Sequence, residues 1–147
     1  MDYFTHNRAH LNKRRIEKID DKVMVFIIPS IVKVGEVHTE LRFPYQGKVL
    51  DVYASCGTPG LKRTVIDIEK CTQSDYDTTP SWKSIFTDKL VIEANKKSSR
   101  SSNVPYTLKP AFDKVSENEH FRVNINEAGE GVKDITVELV VQIDTEG

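Results

Sequence analysis

The amino-acid sequence predicts an all-β protein with the architecture of an antiparallel β-sandwich. The strongest observation is the segment 134–144, where apolar and polar side chains alternate as on a strand with one buried face. A second is the stretch 43–70, in which two alternating runs flank the turn residues Gly57–Gly60. A third is the lack of helical periodicity after residue 21. Together these patterns predict roughly eight strands around one core.

Length, composition and charge restrict the number of domains and the kinds of partner. The 147 residues suit one domain that buries roughly 70% of the unfolded chain's surface. Composition changes near residue 22, so we divide the chain into an N-terminal arm, residues 1–21, and a sandwich domain, residues 22–147. A formal net charge of −1 gives no overall attraction to nucleic acid or anionic membranes. The longest apolar run, Val23–Ile28, is far shorter than the about 20 residues of a membrane span.

The arm is basic and lacks the alternation of the sandwich. Its cations are Arg8, Lys13, Arg14, Arg15 and Lys18. A thin apolar stripe through Ala9, Ile16 and Ile19 is compatible with a short helix that needs a partner surface; a frayed, solvated arm is the alternative. Acidic neighbours dilute the charge, so we rank protein docking through Arg14 and Arg15 above nucleic-acid binding. The arm also lacks the apolar core of a signal peptide, so we expect cytoplasmic synthesis without classical export.

The first half of the sandwich domain consists of predicted strands joined by turns. Residues 22–28 are predicted to form a buried strand that ends at Pro29, because they are continuously apolar after Lys22. Residues 36–44 alternate, which predicts a strand with one face in water. The stretch 43–70 is predicted to form a β-hairpin around Gly57–Gly60.

The second half contains more loop. Residues 72–84 and 95–104 are polar and rich in serine, and we predict loops there. The predicted strands are residues 89–94, one extended edge segment at 105–115, residues 120–126 and residues 134–144. No helix is predicted inside the sandwich domain.

The two cysteines are predicted to be free thiols. In a hairpin over 43–70, Cys56 lies at the turn and Cys71 at the far end, beyond the reach of a disulfide. Cytoplasmic synthesis favours the same conclusion, and we expect both thiols to be buried or half-buried.

The histidines do not suggest a metal or cofactor site. His6 and His10 are one helical turn apart but have no third ligand nearby. His38 and His120 fall on the polar faces of predicted strands, where we interpret them as exposed or structural residues. We therefore predict no metal and no cofactor.

No catalytic constellation emerges from the sequence. A Gly-x-Ser-x-Gly motif is absent, and the glycine-rich turns lack the helix and lysine of a phosphate-binding loop. Asp67 and Glu69 share one strand face, which could suit calcium binding or the acid–base chemistry of a sugar hydrolase. Lys62, Arg63 and Lys70 surround them, so we interpret this face as solvated and charge-balanced. We predict that the protein is not an enzyme.

The aromatic residues of the loop 72–84 are the remaining candidates for ligand binding. Tyr76 and Trp82 could stack on sugar rings, as aromatic side chains on sandwich loops can. The competing interpretation is that Trp82 is a plug that closes one end of the sandwich.

The order of several segments resembles a known family. These are FPYQGKVLDVYASCGTPG, TVIDIEK, SIFT, a serine-rich loop, HFRVNINEAGEG and DITVELVVQI. The order is similar to that of β-sandwich domains of tailed-bacteriophage virion proteins, including tail, fibre-associated and head-appendage proteins, over about residues 43–143. Residues 120–126 lack the acidic side chains common in that strand of the family. The resemblance implies a structural module, often trimeric, without shared catalytic residues, encoded by a phage or prophage of a low-GC Gram-positive host.

The sequence therefore predicts a jelly-roll-like β-sandwich that serves as a non-enzymatic structural or accessory component of a phage or prophage particle. Its expected partners are further copies of itself and other virion proteins, which it would contact through the arm or an open sheet edge. The alternative is a carbohydrate-binding module that recognises cell-surface glycans through Tyr76 and Trp82. In the first case the protein would be made in the host cytoplasm and end in the virion.

Overall fold

A computed structural model describes residues 19–35 and 37–144 of the chain. Over these residues it contains eleven strands, one short α-helix and one 3₁₀-helical turn. The elements in chain order are β1 Ile19–Ile31, β2 Val37–Phe43, β3 Gly47–Thr58, β4 Thr64–Cys71, α1 Gln73–Asp77, β5 Lys83–Ser84, β6 Phe86–Asp88, β7 Leu90–Ile92, the 3₁₀ turn Ser99–Ser101, β8 Thr107–Leu108, β9 Lys114–Val115, β10 Glu119–Glu127 and β11 Lys133–Asp144.

The strands form two main antiparallel sheets. The first has the order β1-β11-β3-β9, and we call it sheet A. The second, sheet B, has the order β2-β10-β4-β5, with β7 also paired to β4. The short strands β6 and β8 pair separately. The prediction of an all-β antiparallel sandwich is confirmed.

The hydrophobic core is built from alternate residues of the long strands. The five alternating apolar residues of β11, from Ile135 to Ile143, are all buried. In β10, Phe121, Val123 and Ile125 are buried in the same way. Both faces therefore match the sequence prediction, because a period of two places every second side chain on the same side of a sheet.

The prediction of a hairpin over 43–70 is wrong. β3 pairs with β11 and β9 in sheet A, whereas β4 pairs with β10, β5 and β7 in sheet B. The intervening turn carries the chain from one sheet to the other. Alternation along a strand indicates which face is buried, but it does not say which strand lies alongside, so two adjacent runs can be mistaken for partners.

The predictions for residues 72–84 and 105–115 also need correction. The first segment contains the helix α1, which is capped by Thr72: its hydroxyl accepts a hydrogen bond from the Asp75 N–H at 3.2 Å. A five-residue helix is too short to produce a visible period. The second segment is not one extended edge strand, because β8 pairs with β6 and β9 with β3. A turn that includes Ala111, with a φ of 68°, separates them.

The strand β1 differs from the fully buried strand that its composition predicted. Met24, Phe26 and Ile28 are buried, but Val23, Val25 and Ile27 are 45–62% exposed. The reason is that β1 lies at the edge of sheet A and its outer face is not covered by any described residue. β1 begins at Ile19, three residues before the predicted start of the sandwich domain. Residues 1–18, with Arg14 and Arg15, lie outside the described residues.

The two cysteines are free and buried, as predicted. Burial raises the pKa of the Cys56 thiol, with the nearby Lys97 opposing that shift. Among the described residues, no helix is long and apolar enough to cross a membrane.

Candidate functional site

The outer face of sheet B carries a group of aromatic and charged side chains that we call the aromatic cluster. Its members are Glu40, Glu69, Tyr76, Trp82, His120 and Arg122. β4 and β10 lie side by side, with Arg122 opposite Glu69 and His120 opposite Cys71. The core-facing residues of β10 alternate with His120 and Arg122, so these two project outward.

The helix α1 places Tyr76 over His120. The two rings are stacked, with centroids 3.8 Å apart and planes 6° from parallel. His120 Nε2 lies 2.9 Å from Gln73 Oε1, at the start of the same helix. His120 is only 7% exposed. It is therefore a structural histidine, which agrees with its interpretation from the sequence.

Trp82 completes the aromatic part of the cluster. Its ring meets Tyr76 edge-on, at 6.1 Å between centroids and 86° between planes. The Arg122 guanidinium lies over the Trp82 ring, 4.3 Å from its centroid. The two candidate residues from the loop 72–84 thus do lie together. Each has one ring face covered by a side chain of this protein.

Hydrogen bonds and ion pairs connect the charged members of the cluster. Arg122 Nε donates to Glu69 Oε1 at 2.7 Å, and its Nη1 lies 3.9 Å from Glu40 Oε2. The Tyr76 hydroxyl donates to Glu40 Oε1 at 2.8 Å. This hydrogen bond and the charge of Glu40 raise the pKa of Tyr76. Each of these polar groups has a partner within the protein, which suits a rigid surface better than a reactive site.

The acid pair Asp67 and Glu69 does not form the solvated face that the sequence suggested. Asp67 is 3% exposed. Its carboxylate accepts a hydrogen bond from Ser84 Oγ at 2.6 Å and lies 3.6 Å from Lys89 Nζ. Burial raises the pKa of Asp67, against the opposing effects of Ser84 and Lys89. The chain after α1 pairs alongside β4 through β5 and brings Ser84 to the carboxylate, which local sequence could not indicate.

A small cavity lies next to the cluster. Its volume is about 180 Å³, and Lys70, Cys71, Phe112 and Glu119 are among its lining residues. The Lys70 ammonium is 3.2 Å from the Glu119 carboxylate and donates to the Lys114 carbonyl at 2.6 Å. Its charge is also 5.4 Å from the Phe112 ring centroid. The Lys70 ammonium and the Glu119 carboxylate at this cavity are thus already paired with each other.

Metal binding has no support in the part of the chain that the structure describes. No group of three His, Cys, Asp or Glu residues there could hold a metal ion. His6 and His10 lie outside the described residues, as do Arg14 and Arg15.

Sequence reasoning found Tyr76 and Trp82 but missed their partners Glu40, His120 and Arg122. These partners come from β2 and β10, and only the pairing of β10 with β2 and β4 brings them to the loop. The alternation of β10 indicated that His120 and Arg122 face outward, but it gave no sign of what covers them.

No protein-family model matches this chain, and no curated protein matches it. It is similar to the virus-like particle of the extra small virus of the giant freshwater prawn Macrobrachium rosenbergii. The identity is 13%, the TM-score 0.35, and the match covers 88% of this chain and 81% of that chain. It is also similar to dimeric latent PorU from Porphyromonas gingivalis, with 11% identity and a TM-score of 0.26, over 86% of this chain and 13% of that one. TM-scores this low leave the function to be argued from the residues of this protein.

Proposed function

We propose that this protein is a non-enzymatic structural or accessory component of a phage or prophage particle. It would be tail-associated or fibre-like and act by docking to copies of itself and to other virion proteins. The observation that carries the proposal is the order of strands in the two sheets.

In that order, strands from the start of the described chain lie beside strands from its end. β1 lies beside β11 in sheet A, and β2 lies beside β10 in sheet B. We interpret this as jelly-roll topology, which occurs in viral capsid proteins and also in lectins and cupins. The step from topology to a virion role is an analogy between folds. It agrees with the resemblance of residues 43–143 to phage virion domains.

The pairing of polar groups supports a role without catalysis. Asp67, Glu69 and Glu119 each contact a basic side chain of the same protein. A general acid or base needs a group that faces a substrate, whereas these carboxylates face their own partners. The aromatic cluster stabilises the outer face of sheet B in the same way.

Mass spectrometry of purified particles tests the proposal. A strain that carries the gene would be induced, and particles would be purified by density and digested. We expect peptides of this protein at a constant ratio to the main capsid protein across independent preparations. Its consistent absence from particles, while it is present in the lysate, would rule out the virion role.

A second candidate is a carbohydrate-binding module for cell-surface glycans. The specific observation is that Tyr76 and Trp82 are neighbours on an outer sheet face and both remain partly exposed. Sugar rings commonly pack on such aromatic faces.

Trp82 is the single tryptophan, so its fluorescence reports on this site alone. The glycan candidate predicts saturable quenching by solubilised cell-wall glycans that is lost in Tyr76→Ala. The matched control is Tyr45→Ala, which removes an exposed tyrosine elsewhere and should leave the titration unchanged. A flat titration of the unmodified protein counts against glycan binding.

A further inference from the structure

The edge strand β1 has an unusual combination of properties. Within the described residues its only paired neighbour is β11, so its other edge presents backbone N–H and C=O groups without a strand partner. Natural edge strands are usually protected by charges, prolines or bulges. Here the run Val23–Ile28 contains none of these and consists of residues that favour strands.

The outer face of the same strand is apolar. Val23, Val25 and Ile27 are 51%, 45% and 62% exposed. In the neighbouring strand, Val140 lies opposite Val23 and extends the patch. An edge whose central run is uncharged and that also carries an exposed apolar row is the kind of surface to which a further strand adds.

We propose that β1 is the interface between two copies of this protein, paired antiparallel about a twofold axis at Val25. Such pairing joins two A sheets into one continuous sheet. It is isologous, because the same patch serves both partners.

The pattern of β1 determines the position of the axis. With Val25 opposite Val25 of the second copy, Val23 lies opposite Ile27 and Ile27 opposite Val23. Shifting the strands by two residues in either direction leaves Val23 opposite Pro29 or Ile27 opposite Asp21. The axis at Val25 thus pairs every exposed apolar residue of the run with another.

Charge favours the same arrangement. Asp20 and Asp21 are the acids at the start of β1, and they would lie opposite Ser30 and Pro29 of the second copy. No like charges meet. Ser30 has a φ of 65° and the ladder with β11 shifts between Ile28 and Ile31, so the regular part of the edge ends there. The pairing is therefore limited to the start and centre of the strand.

Two other occupants suit the edge less well. Residues 1–18 carry five cations and have no alternating apolar run, so they lack the side chains that would complement it. Open polymerisation is disfavoured because a twofold pairing occupies the free β1 edge of both copies. The other edge of sheet A is formed by β9, which has only two residues and offers little for a further strand to pair with.

Light scattering of the full-length protein gives the first test. We expect the mass of a dimer for the unmodified chain and half that mass for Val25→Lys, because two ammonium groups would face each other at the axis. The matched control is Leu61→Lys, which places the same charge on a residue that is 64% exposed in the turn between β3 and β4. This control should remain a dimer. A monomer or a trimer of the unmodified protein, or a dimer that Val25→Lys leaves intact, overturns the proposal.

A cross-linking experiment tests the register and does not depend on how Val25→Lys folds. Val25→Cys should form a covalent dimer on mild oxidation, because paired strands bring opposite Cα atoms within disulfide reach. Thr136→Cys lies one strand further in, opposite Ile27, and its copies would be about 20 Å apart, because they are separated by three strand spacings across the sheet and by four residues along the strands. Thr136→Cys and the unmodified chain, whose cysteines are buried, should not cross-link. Cross-linking of Thr136→Cys without Val25→Cys, or of neither, contradicts the assignment.

This interface does not depend on the virion role. If the protein is absent from particles but dimerises through β1, only the proposed function fails. If it is present in particles but is not a dimer, only the interface fails.

Discussion

Asp67 is a carboxylate held inside the protein between Ser84 and Lys89. Burial disfavours its charged form, and the two partners compensate only in part, so its pKa is raised. Glu127 is the opposite case on the surface, where Arg63 lowers the pKa of its carboxyl group. These two acids should therefore affect stability with opposite dependence on pH.

The prediction for Asp67 concerns the difference in unfolding free energy between the unmodified protein and Asp67→Asn. In the fold the pKa lies above the ordinary value of 3.8, so the folded state holds its proton to higher pH than the unfolded state. The unmodified protein should therefore lose stability relative to Asp67→Asn as pH rises from just above 3.8 to neutrality. Urea unfolding at several pH values measures this difference in unfolding free energy.

Asp67→Ala, which leaves the Ser84 hydroxyl without its acceptor, should lower the unfolding free energy by about 1–3 kcal/mol.

The control is Glu127→Gln. Because the folded pKa of Glu127 is lowered, the unmodified protein should gain stability relative to Glu127→Gln as pH rises toward neutrality. If the stability difference changed with pH in the same direction for Asp67→Asn and Glu127→Gln, burial of Asp67 and the charge of Arg63 could not be the causes of the two pKa shifts.

Arg122 provides a second prediction at the level of one side chain. Arg122→Ala removes the partner of Glu69, and the side chains of this pair are only 21% and 16% exposed. The expected loss is about 1–3 kcal/mol, because Glu69 is left partly buried without its counter-ion. Urea unfolding monitored by circular dichroism measures this loss of stability without using Trp82 fluorescence.

Arg63→Ala is the matched control for Arg122→Ala. Its pair with Glu127 has side chains that are 54% and 51% exposed, so solvent screens the interaction. We expect a clearly smaller loss of stability than for Arg122→Ala. Equal losses for the two arginine variants would mean that burial does not decide the strength of these pairs.

At the scale of single residues, the sequence singled out Tyr76 and Trp82, which lie together in the structure, but it did not indicate their partners. Tyr76 and Trp82 were identifiable because they are isolated aromatic residues in a polar loop. The burial of Asp67 could not be foreseen, since Ser84 and Lys89 approach it from later segments. Residues with the same local pattern, such as Glu69, remain partly exposed.

Among the elements, the crossover between β3 and β4 is held by the turn between β10 and β11. The Leu61 N–H donates to the Glu130 carbonyl at 2.8 Å, and the buried Thr64 hydroxyl accepts from the Gly129 N–H at 3.0 Å. A side chain at Gly129 would overlap the Lys62 carbonyl oxygen. The absence of a Cβ at this position lets the two loops approach.

Gly129→Ala should therefore cost about 2–3 kcal/mol, because the overlapping atoms belong to the backbone and cannot rotate away. Gly131 is in the same turn, with a φ of 81° and open space around it. Gly131→Ala should cost only about 1 kcal/mol, from backbone strain. Chemical denaturation of both variants tests this. A smaller loss for Gly129→Ala than for Gly131→Ala would show that the contact between the loops is not tight.

The same crossover explains why the faces of strands were predictable and their partners were not. Alternation in β10 and β11 identified the buried side chains, because that depends only on the period. β3 pairs with β11, at the other end of the described chain, and nothing in the sequence of residues 43–70 indicates a partner so far away. Short elements such as α1 and β9 contain too few residues to show any period.

In the whole molecule, the two ends of the described chain are neighbours. Ile19 lies opposite Asp144 in the ladder between β1 and β11. Joining Gly147 to Met1 would therefore close the chain without stretching it, with the residues outside 19–144 serving as the linker. New ends between Thr79 and Pro80, both exposed, should leave the fold intact.

This circular permutant should keep the β-rich circular dichroism spectrum and a single cooperative unfolding transition. The control has its new ends between Val123 and Asn124, in the strand that joins β2 to β4, and should not fold. Loss of structure in both permutants would contradict the adjacency of Ile19 and Asp144.

The pairing of β1 with β11 also has a consequence for how the protein is made. A ribosome releases β1 long before β11, yet Phe26 and Ile28 find their ladder partners only in Val137 and Ile135. Sheet A cannot close before β11 emerges, and contacts so distant in sequence are slow to form. During synthesis both edges of the apolar strand β1 are therefore unpaired. We expect chaperones to bind this segment and misfolding to begin there.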